Sequence, residues 1–109
     1  MTKVSIKKAQ DGEIAGFTCE GHAAFGQKGE DVVCAALSVL TINTVNSLEI
    51  LVKEPMEVKA DDNFGLISVT FLKKPSDHAR LLMESYCLGV SEVFNQYGKK
   101  YVQLEFEDI

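Results

Sequence analysis

The sequence lacks any recognisable arrangement of cysteines, although it has three of them. Cys19, Cys34 and Cys87 are widely spaced, and the chain has no Cys-x-x-Cys pair. This excludes a zinc ribbon and a thioredoxin-type redox site. Adding His22 and His78 gives no known metal-ligand spacing either, so we predict neither a metal nor another cofactor. Because an odd number of thiols does not suit a disulfide framework, we predict a reducing, cytoplasmic location.

The sequence also lacks an excess of basic residues. It has 11 lysines and arginines against 16 aspartates and glutamates, a net charge of −5 and an isoelectric point of about 4.9. A protein that binds nucleic acid by neutralising phosphates needs a basic face. We therefore predict no direct nucleic-acid binding, and a preference for neutral or basic partners.

No apolar run is long enough to cross a membrane. The longest extends from Val32 to Leu40 and is interrupted by Ser38, whereas a spanning helix needs about 20 residues. The lysines near the start of the chain are not followed by the apolar segment of a signal peptide. We expect a soluble protein without a signal peptide or a membrane span.

Length and composition predict one globular domain, residues 1–109. The chain is 46% apolar and 25% charged, as is typical of globular proteins. At this length folding buries about 65% of the surface of the unfolded chain, so a core can form without disulfides.

Alternating apolar residues predict a leading β-hairpin. One strand runs from Thr2 to Gln10, Asp11-Gly12 forms the turn, and a second strand runs from Glu13 to Glu20. The segment from Gly21 to Asp31 has three glycines and no periodicity. It is longer than most connections, and we predict a mobile loop there.

Two helices and three further strands are predicted after this loop. Val32 to about Val52 is apolar on nearly every side at its start, which predicts a buried helix with Asp31 as its N-cap. The other elements are a strand on Met56, Val58 and Ala60, a turn at 62–65, a strand on Ile67, Val69 and Phe71, a helix from Pro75-Ser76 to Gly98, and a last strand with Val102, Leu104 and Phe106 inward. The order ββαββαβ predicts an α+β fold, with two helices packed on a mostly antiparallel sheet.

The residues best suited to catalysis lie around Cys34. With Asp31 as the N-cap, Cys34 would be the third helical residue, where unpaired backbone N–H groups and the helix dipole favour the thiolate. His22, after Gly21, could take the thiol proton and later return it to a leaving amine. The helix terminus could also stabilise an oxyanion, and Ser38, one turn after Cys34, could support the site by hydrogen bonding.

The residues alone leave simpler interpretations open. A cysteine on an apolar helix is more often a packing residue, and a histidine after a glycine is more often an ordinary loop residue. Asp31 could cap the helix without any part in catalysis. Cys19 and Cys87 fall on apolar faces, where we predict core thiols.

The combined pattern resembles the ribosomal-processing cysteine protease family, Prp. The resemblance rests on Gly21-His22-Ala23, on the eleven residues that separate His22 from Cys34, and on the stretch from Asp31 to Ser38 around that cysteine, which reads Asp-Val-Val-Cys-Ala-Ala-Leu-Ser. It extends over essentially the whole chain, including the Asp-Gly hairpin, the turn at 61–63 and the element order.

The resemblance implies a cysteine endopeptidase. In that family the cysteine is the nucleophile and the histidine its partner, which would fall on Cys34 and His22, with supporting roles for Gly21, Asp31 and Ser38. The implied reaction removes an N-terminal extension from a large-subunit ribosomal protein (the L-twenty-seven protein) during ribosome assembly. The resemblance also implies a homodimer, an apolar substrate pocket and a loop that moves over the site.

Two other functions remain open at this stage. The chain could be a non-catalytic dimeric module that binds a ribosomal protein or an assembly intermediate. It could also carry a redox-sensing thiol at Cys34 with no peptide cleavage.

Overall fold

The computed structural model describes residues 2–21, 28–61 and 65–109, and these form five strands and two helices. The strands are β1 (Thr2–Lys8), β2 (Ile14–Glu20), β3 (Met56–Asp61), β4 (Leu66–Phe71) and β5 (Val102–Asp108). The helices are α1 (Lys28–Asn46), which continues as a π-helical segment Ser47–Val52, and α2 (Asp77–Tyr97). The element order is the predicted ββαββαβ, and the α+β class is confirmed.

The strands form one mixed sheet with the order β3-β4-β2-β1-β5. The β1–β2, β2–β4 and β3–β4 pairings are antiparallel, while β1 and β5 are parallel. β1 is therefore an interior strand, and its first residue, Thr2, pairs with Val102 of β5. The sheet is mostly antiparallel, as the sequence predicts.

One face of the sheet and both helices share a single core. The alternation of β1 turns Val4 and Ile6 to the same side, where Phe17 and Cys19 of β2 oppose them in register. The buried helical residues in the same cluster are Val33, Leu37, Val45, Leu48, Ala79, Met83, Tyr86 and Val90. The Phe17 and Tyr86 rings meet with centroids 4.8 Å apart, so α2 packs directly on the centre of this face.

The predictions for α2 and for the two hairpin elements are largely confirmed. Ser76 is the N-cap of α2, where its side chain accepts a hydrogen bond from the Ala79 N–H, and Gly98 is the C-cap. Gly12 has a φ of 84°, which explains why the first hairpin turn uses glycine. The turn predicted at 62–65 lies mostly outside the described residues.

The inward position predicted for Phe106 is wrong. Val102 is buried and Leu104 packs against the core, but the Phe106 side chain is 57% exposed. Phe106 lies further along β5 than these two residues and is outside the core cluster that includes them. The Lys8 ammonium lies 5.3 Å from the centre of the Phe106 ring, in a cation–π contact.

The first helix begins earlier than the sequence predicts. The chain is helical from Lys28, so the last four residues of the predicted loop belong to α1. Asp31 is therefore the fourth helical residue rather than the N-cap, and Cys34 is the seventh rather than the third. Lysine and glutamate, at positions 28 and 30, are good helix formers, and the prediction gave too much weight to the glycine between them.

Within the described residues, Val32–Val52 is a helix long and apolar enough to span a membrane by length and composition alone. One side of it is in the core through Val33, Leu37 and Leu48. Only 28% of this segment is buried, so the prediction of a buried helix holds for one side only. The prediction that no segment is long and apolar enough to cross a membrane is wrong by length and composition.

Candidate active site

The predicted nucleophile contacts the first residue of β1. Cys34 Sγ lies 3.2 Å from Thr2 Oγ1, and either atom can be the donor. The contact is buried, because Cys34 is 7% exposed and Thr2 is fully buried. It joins the second turn of α1 to the end of the sheet at which β1 begins.

The same end of the sheet contains Gly21. The antiparallel pairing of β1 and β2 ends at Lys3 and Glu20. Continuing this register by one residue puts Thr2 opposite Gly21. Gly21 has a φ of 86°, a conformation that favours glycine and turns the chain out of β2. The site end of the sheet thus combines the Thr2–Cys34 contact with the point where the chain leaves β2.

The other predicted site residues are described to different extents. His22 lies outside the described residues. Asp31 is in the first turn of α1 by its backbone. Ser38 follows Cys34 by one turn and is half-buried, so it lies on the same side of the helix as Cys34.

The position of Cys34 changes the predicted oxyanion site. The free backbone N–H groups of a helix belong to its first four residues. In α1 these are residues 28–31, whereas the Cys34 amide lies one turn further in. The prediction that Cys34 itself lies among unpaired amides is therefore wrong, because the helix extends one turn further towards the N-terminus.

A second thiol lies close to Cys34 but in a different environment. Burial raises the pKa of the Cys19 thiol, a hydrogen bond with Thr41 lowers it, and the neighbouring Cys34 and Glu20 raise it. Burial also raises the pKa of Cys87, which packs against the core. Both groups are thiols at neutral pH. The prediction of a core thiol is confirmed for Cys19, whereas Cys87 is half-buried and packs against the core from outside.

Sequence reasoning missed two buried threonines beside these thiols. Thr41 on α1 lies 2.9 Å from the Tyr86 hydroxyl of α2, oxygen to oxygen. Thr2 was also missed, although the alternation of β1 contains the signal, since Thr2 shares the face of Val4 and Ile6. A polar residue on an otherwise apolar strand face is a reason to look for a buried partner.

No group of three or more potential metal-ligating residues occurs in the described parts of the chain. His78 is exposed near the start of α2. What the described site offers is a buried thiol with a hydroxyl partner, in a position suited to nucleophilic chemistry once a base is supplied.

Comparison with known proteins decides the family. The family model of the cysteine protease Prp matches residues 1–103. This chain belongs to the cysteine protease Prp family. The resemblance found in the sequence is confirmed, and the chain is a cysteine protease.

Individual Prp proteins match over nearly their full length. The Bacillus subtilis ribosomal processing cysteine protease Prp is 28% identical over 102 residues, which is 89% of this chain and 90% of that protein. The Staphylococcus aureus Prp crystal structure with a substrate peptide has a TM-score of 0.90 at 23% identity, covering 98% of this chain and 100% of the other. The S. aureus Prp structure with a covalently linked product peptide has a TM-score of 0.85 at 25% identity, with the same coverage.

Proposed function

We propose that this chain is a cytoplasmic endopeptidase that removes the N-terminal extension of a large-subunit ribosomal protein, the L-twenty-seven protein, during ribosome assembly. Cys34 is its nucleophile and His22 its general base and acid. The observation that carries the proposal is the buried Cys34–Thr2 contact at the end of the sheet where Gly21 turns the chain out of β2. His22 is the next residue after that turn.

The proposed reaction needs only these two side chains and water. His22 takes the Cys34 proton, and the thiolate attacks the carbonyl carbon of the scissile peptide bond. The tetrahedral intermediate collapses as protonated His22 gives its proton to the leaving amine, which breaks the C–N bond and leaves a thioester on Cys34. His22 then activates a water molecule that hydrolyses the thioester and regenerates the thiol.

The comparisons support the class of substrate for the relatives. The S. aureus Prp structures contain a substrate peptide and a covalently linked product peptide. For this chain, the net charge of −5 is complementary to a basic ribosomal protein, and complementary charge accelerates encounter. An apolar substrate pocket is part of the same proposal.

Cleavage of an extended ribosomal protein tests the proposal. The purified chain is incubated with the full-length substrate carrying its extension, and the products are read by intact mass. We expect a single cut for the wild type and for Cys87→Ala, which removes a thiol outside the site, and none for Cys34→Ala. Cutting by Cys34→Ala would exclude Cys34 as the nucleophile. Stable binding without any cut would instead indicate the dimeric binding module.

We also propose that the protein is a homodimer formed through α1. The exposed side of this helix contains Val32, Val39 and Ile42. No charged residue occurs between Val32 and Leu48, although a quarter of the chain is charged. Two copies of an acidic chain can approach along this side without like-charge repulsion, while burying apolar surface.

The oligomeric state of a matched pair of variants tests the dimer. Val39 is 68% exposed on α1, and Leu81 is 64% exposed on α2. Val39→Glu is expected to give monomers in sedimentation equilibrium, whereas Leu81→Glu is expected to remain dimeric. A monomeric wild type, or equal effects of both substitutions, would contradict the α1 interface.

A further inference from the structure

Thr2 is held by backbone contacts on β1 and β5. Its N–H donates to the Tyr101 carbonyl at 3.0 Å, and its Cα pairs with Val102 across the parallel β1–β5 ladder. The side chain is fully buried. Its hydroxyl therefore approaches Cys34 from a fixed position on the sheet rather than from a loop.

We propose that Thr2 is a positioning residue for the protease: its hydroxyl orients Cys34 Sγ and donates a hydrogen bond to the thiolate form. This inference rests on the proposed role of Cys34 as the nucleophile. The oxygen–sulfur distance of 3.2 Å is within hydrogen-bonding range for sulfur.

The direction of the hydrogen bond follows from the protonation state. In the thiol form either atom can donate, but a thiolate has no proton and can only accept. On ionisation the Thr2 hydroxyl must therefore become the donor. A hydrogen bond to the charged form favours that form, so Thr2 assists the loss of the Cys34 proton and fixes the side chain that attacks.

The start of α1 explains why Cys34 needs a hydrogen-bond donor such as Thr2. Cys34 lies beyond the turn whose backbone amides are free, so stabilisation of a thiolate by those amides is not available at the seventh helical residue. Thr2 supplies a donor from outside the helix.

A second cysteine–threonine pair in the chain can be compared with Cys34 and Thr2. Cys19 also has a threonine partner, Thr41, but Thr41 is shared with the Tyr86 hydroxyl. Thr41→Val therefore removes an equally buried hydroxyl beside the other thiol. It serves as the matched control for general loosening of the structure.

The test is the pH dependence of alkylation at each cysteine. The full chain is treated with iodoacetamide between about pH 5 and about pH 10, and modification of each thiol is followed by peptide mass mapping. Valine is nearly isosteric with threonine, so Thr2→Val removes the hydroxyl with little change in volume. Thr2→Ser keeps the hydroxyl and is the conservative variant.

For Thr2→Val we expect the midpoint of Cys34 alkylation to rise by about 1 pH unit, since hydrogen bonds to charged groups are the stronger ones. Thr2→Ser is expected to restore most of this shift, and Thr41→Val to leave the Cys34 midpoint unchanged. In peptide cleavage at neutral pH, Thr2→Val should lower kcat about tenfold with little change in KM. An unchanged Cys34 midpoint in Thr2→Val, or an equal shift in Thr41→Val, would overturn the proposal.

The alkylation measurement also separates this inference from the proposed function. The measurement needs no substrate. A shifted midpoint without cleavage of the ribosomal protein would therefore contradict the proposed substrate and support the role of Thr2. Cleavage that depends on Cys34 but not on Thr2, with an unchanged midpoint of Cys34 alkylation, would contradict only the role of Thr2.

Discussion

The Glu54 carboxylate accepts two hydrogen bonds from Ser76. Ser76 Oγ donates to Oε1 at 2.6 Å, and the Ser76 N–H donates to Oε2 at 3.1 Å. Ser76 Oγ in turn accepts from the Ala79 N–H at 3.2 Å as the N-cap of α2. Glu54 follows the π-helical end of the first helix, so this carboxylate connects the end of one helix to the start of the other.

Glu54→Gln is expected to lower the free energy of unfolding by about 1–3 kcal/mol, because the amide presents only one acceptor oxygen to two donors and carries no charge at the α2 N-terminus. Urea unfolding followed by circular dichroism measures the change. Glu57→Gln is the matched control, since that carboxylate is exposed on β3 and pairs with exposed Lys59; it should change stability by less than about 1 kcal/mol. Equal losses in both variants would contradict a special role for Glu54.

The Thr41–Tyr86 hydrogen bond should show measurable coupling between α1 and α2. Thr41→Val leaves the buried Tyr86 hydroxyl without this partner and should cost about 1–3 kcal/mol. Tyr86→Phe removes the other hydroxyl, and in the double variant neither group is left unpaired. We therefore expect the double variant to lose less than the sum of the single losses, as a double-mutant cycle in urea would show. Strict additivity would mean that the two hydroxyls do not interact.

Stability should fall in alkaline solution. Burial raises the pKa of Tyr86 far above the ordinary tyrosine value, and burial also raises the pKa values of Cys19 and Cys87. A raised pKa means that the folded state binds more protons than the unfolded state, so the stabilisation is complete below the unfolded pKa values, about 8.5 for cysteine and about 10 for tyrosine, and is lost above them.

Urea midpoints measured from neutral pH to above about pH 10 check this sign. The midpoint of the wild type is expected to decline across that range, and Tyr86→Phe should decline less steeply above about pH 10 because it has no phenol to ionise. A wild-type midpoint that rises with pH would show that these groups are not buried as the structure has them.

The sequence was informative wherever local patterns control the structure. Alternation and the Asp11-Gly12 turn predicted the first hairpin, and Ser76 and Gly98 marked both ends of α2, because strand faces, turns and caps depend on neighbouring residues. The family motif around Cys34 was also readable, since its residues are close in the chain.

Long-range contacts were not readable in the same way. Thr2 and Cys34 are 32 positions apart, and Glu54 and Ser76 are 22 apart. Such pairs depend on how strands and helices pack, which residue spacing does not determine. The start of α1 was misjudged for the opposite reason, because the local preference of Gly29 for a loop was weaker than the preference of its neighbours for helix.

Gly16 lies in the middle of β2, where the adjacent strand β4 leaves no room for a side chain. A Cβ atom at Gly16 would overlap the backbone carbonyl oxygen of Val69 on the adjacent strand β4. Backbone atoms in a paired sheet cannot move aside without separating the strands, so Gly16→Ala should cost about 1–3 kcal/mol of stability.

Gly89→Ala on α2 provides the contrast. There the new Cβ would meet only the flexible end of Leu40, at 3.0 Å, and alanine also favours helix by about 1 kcal/mol over glycine. The two effects oppose each other, so the free energy of unfolding should change by less than about 1 kcal/mol. Thermal and urea unfolding of the two variants decide the matter: if Gly16→Ala is as stable as the wild type, β2 and β4 do not approach as closely as the register requires.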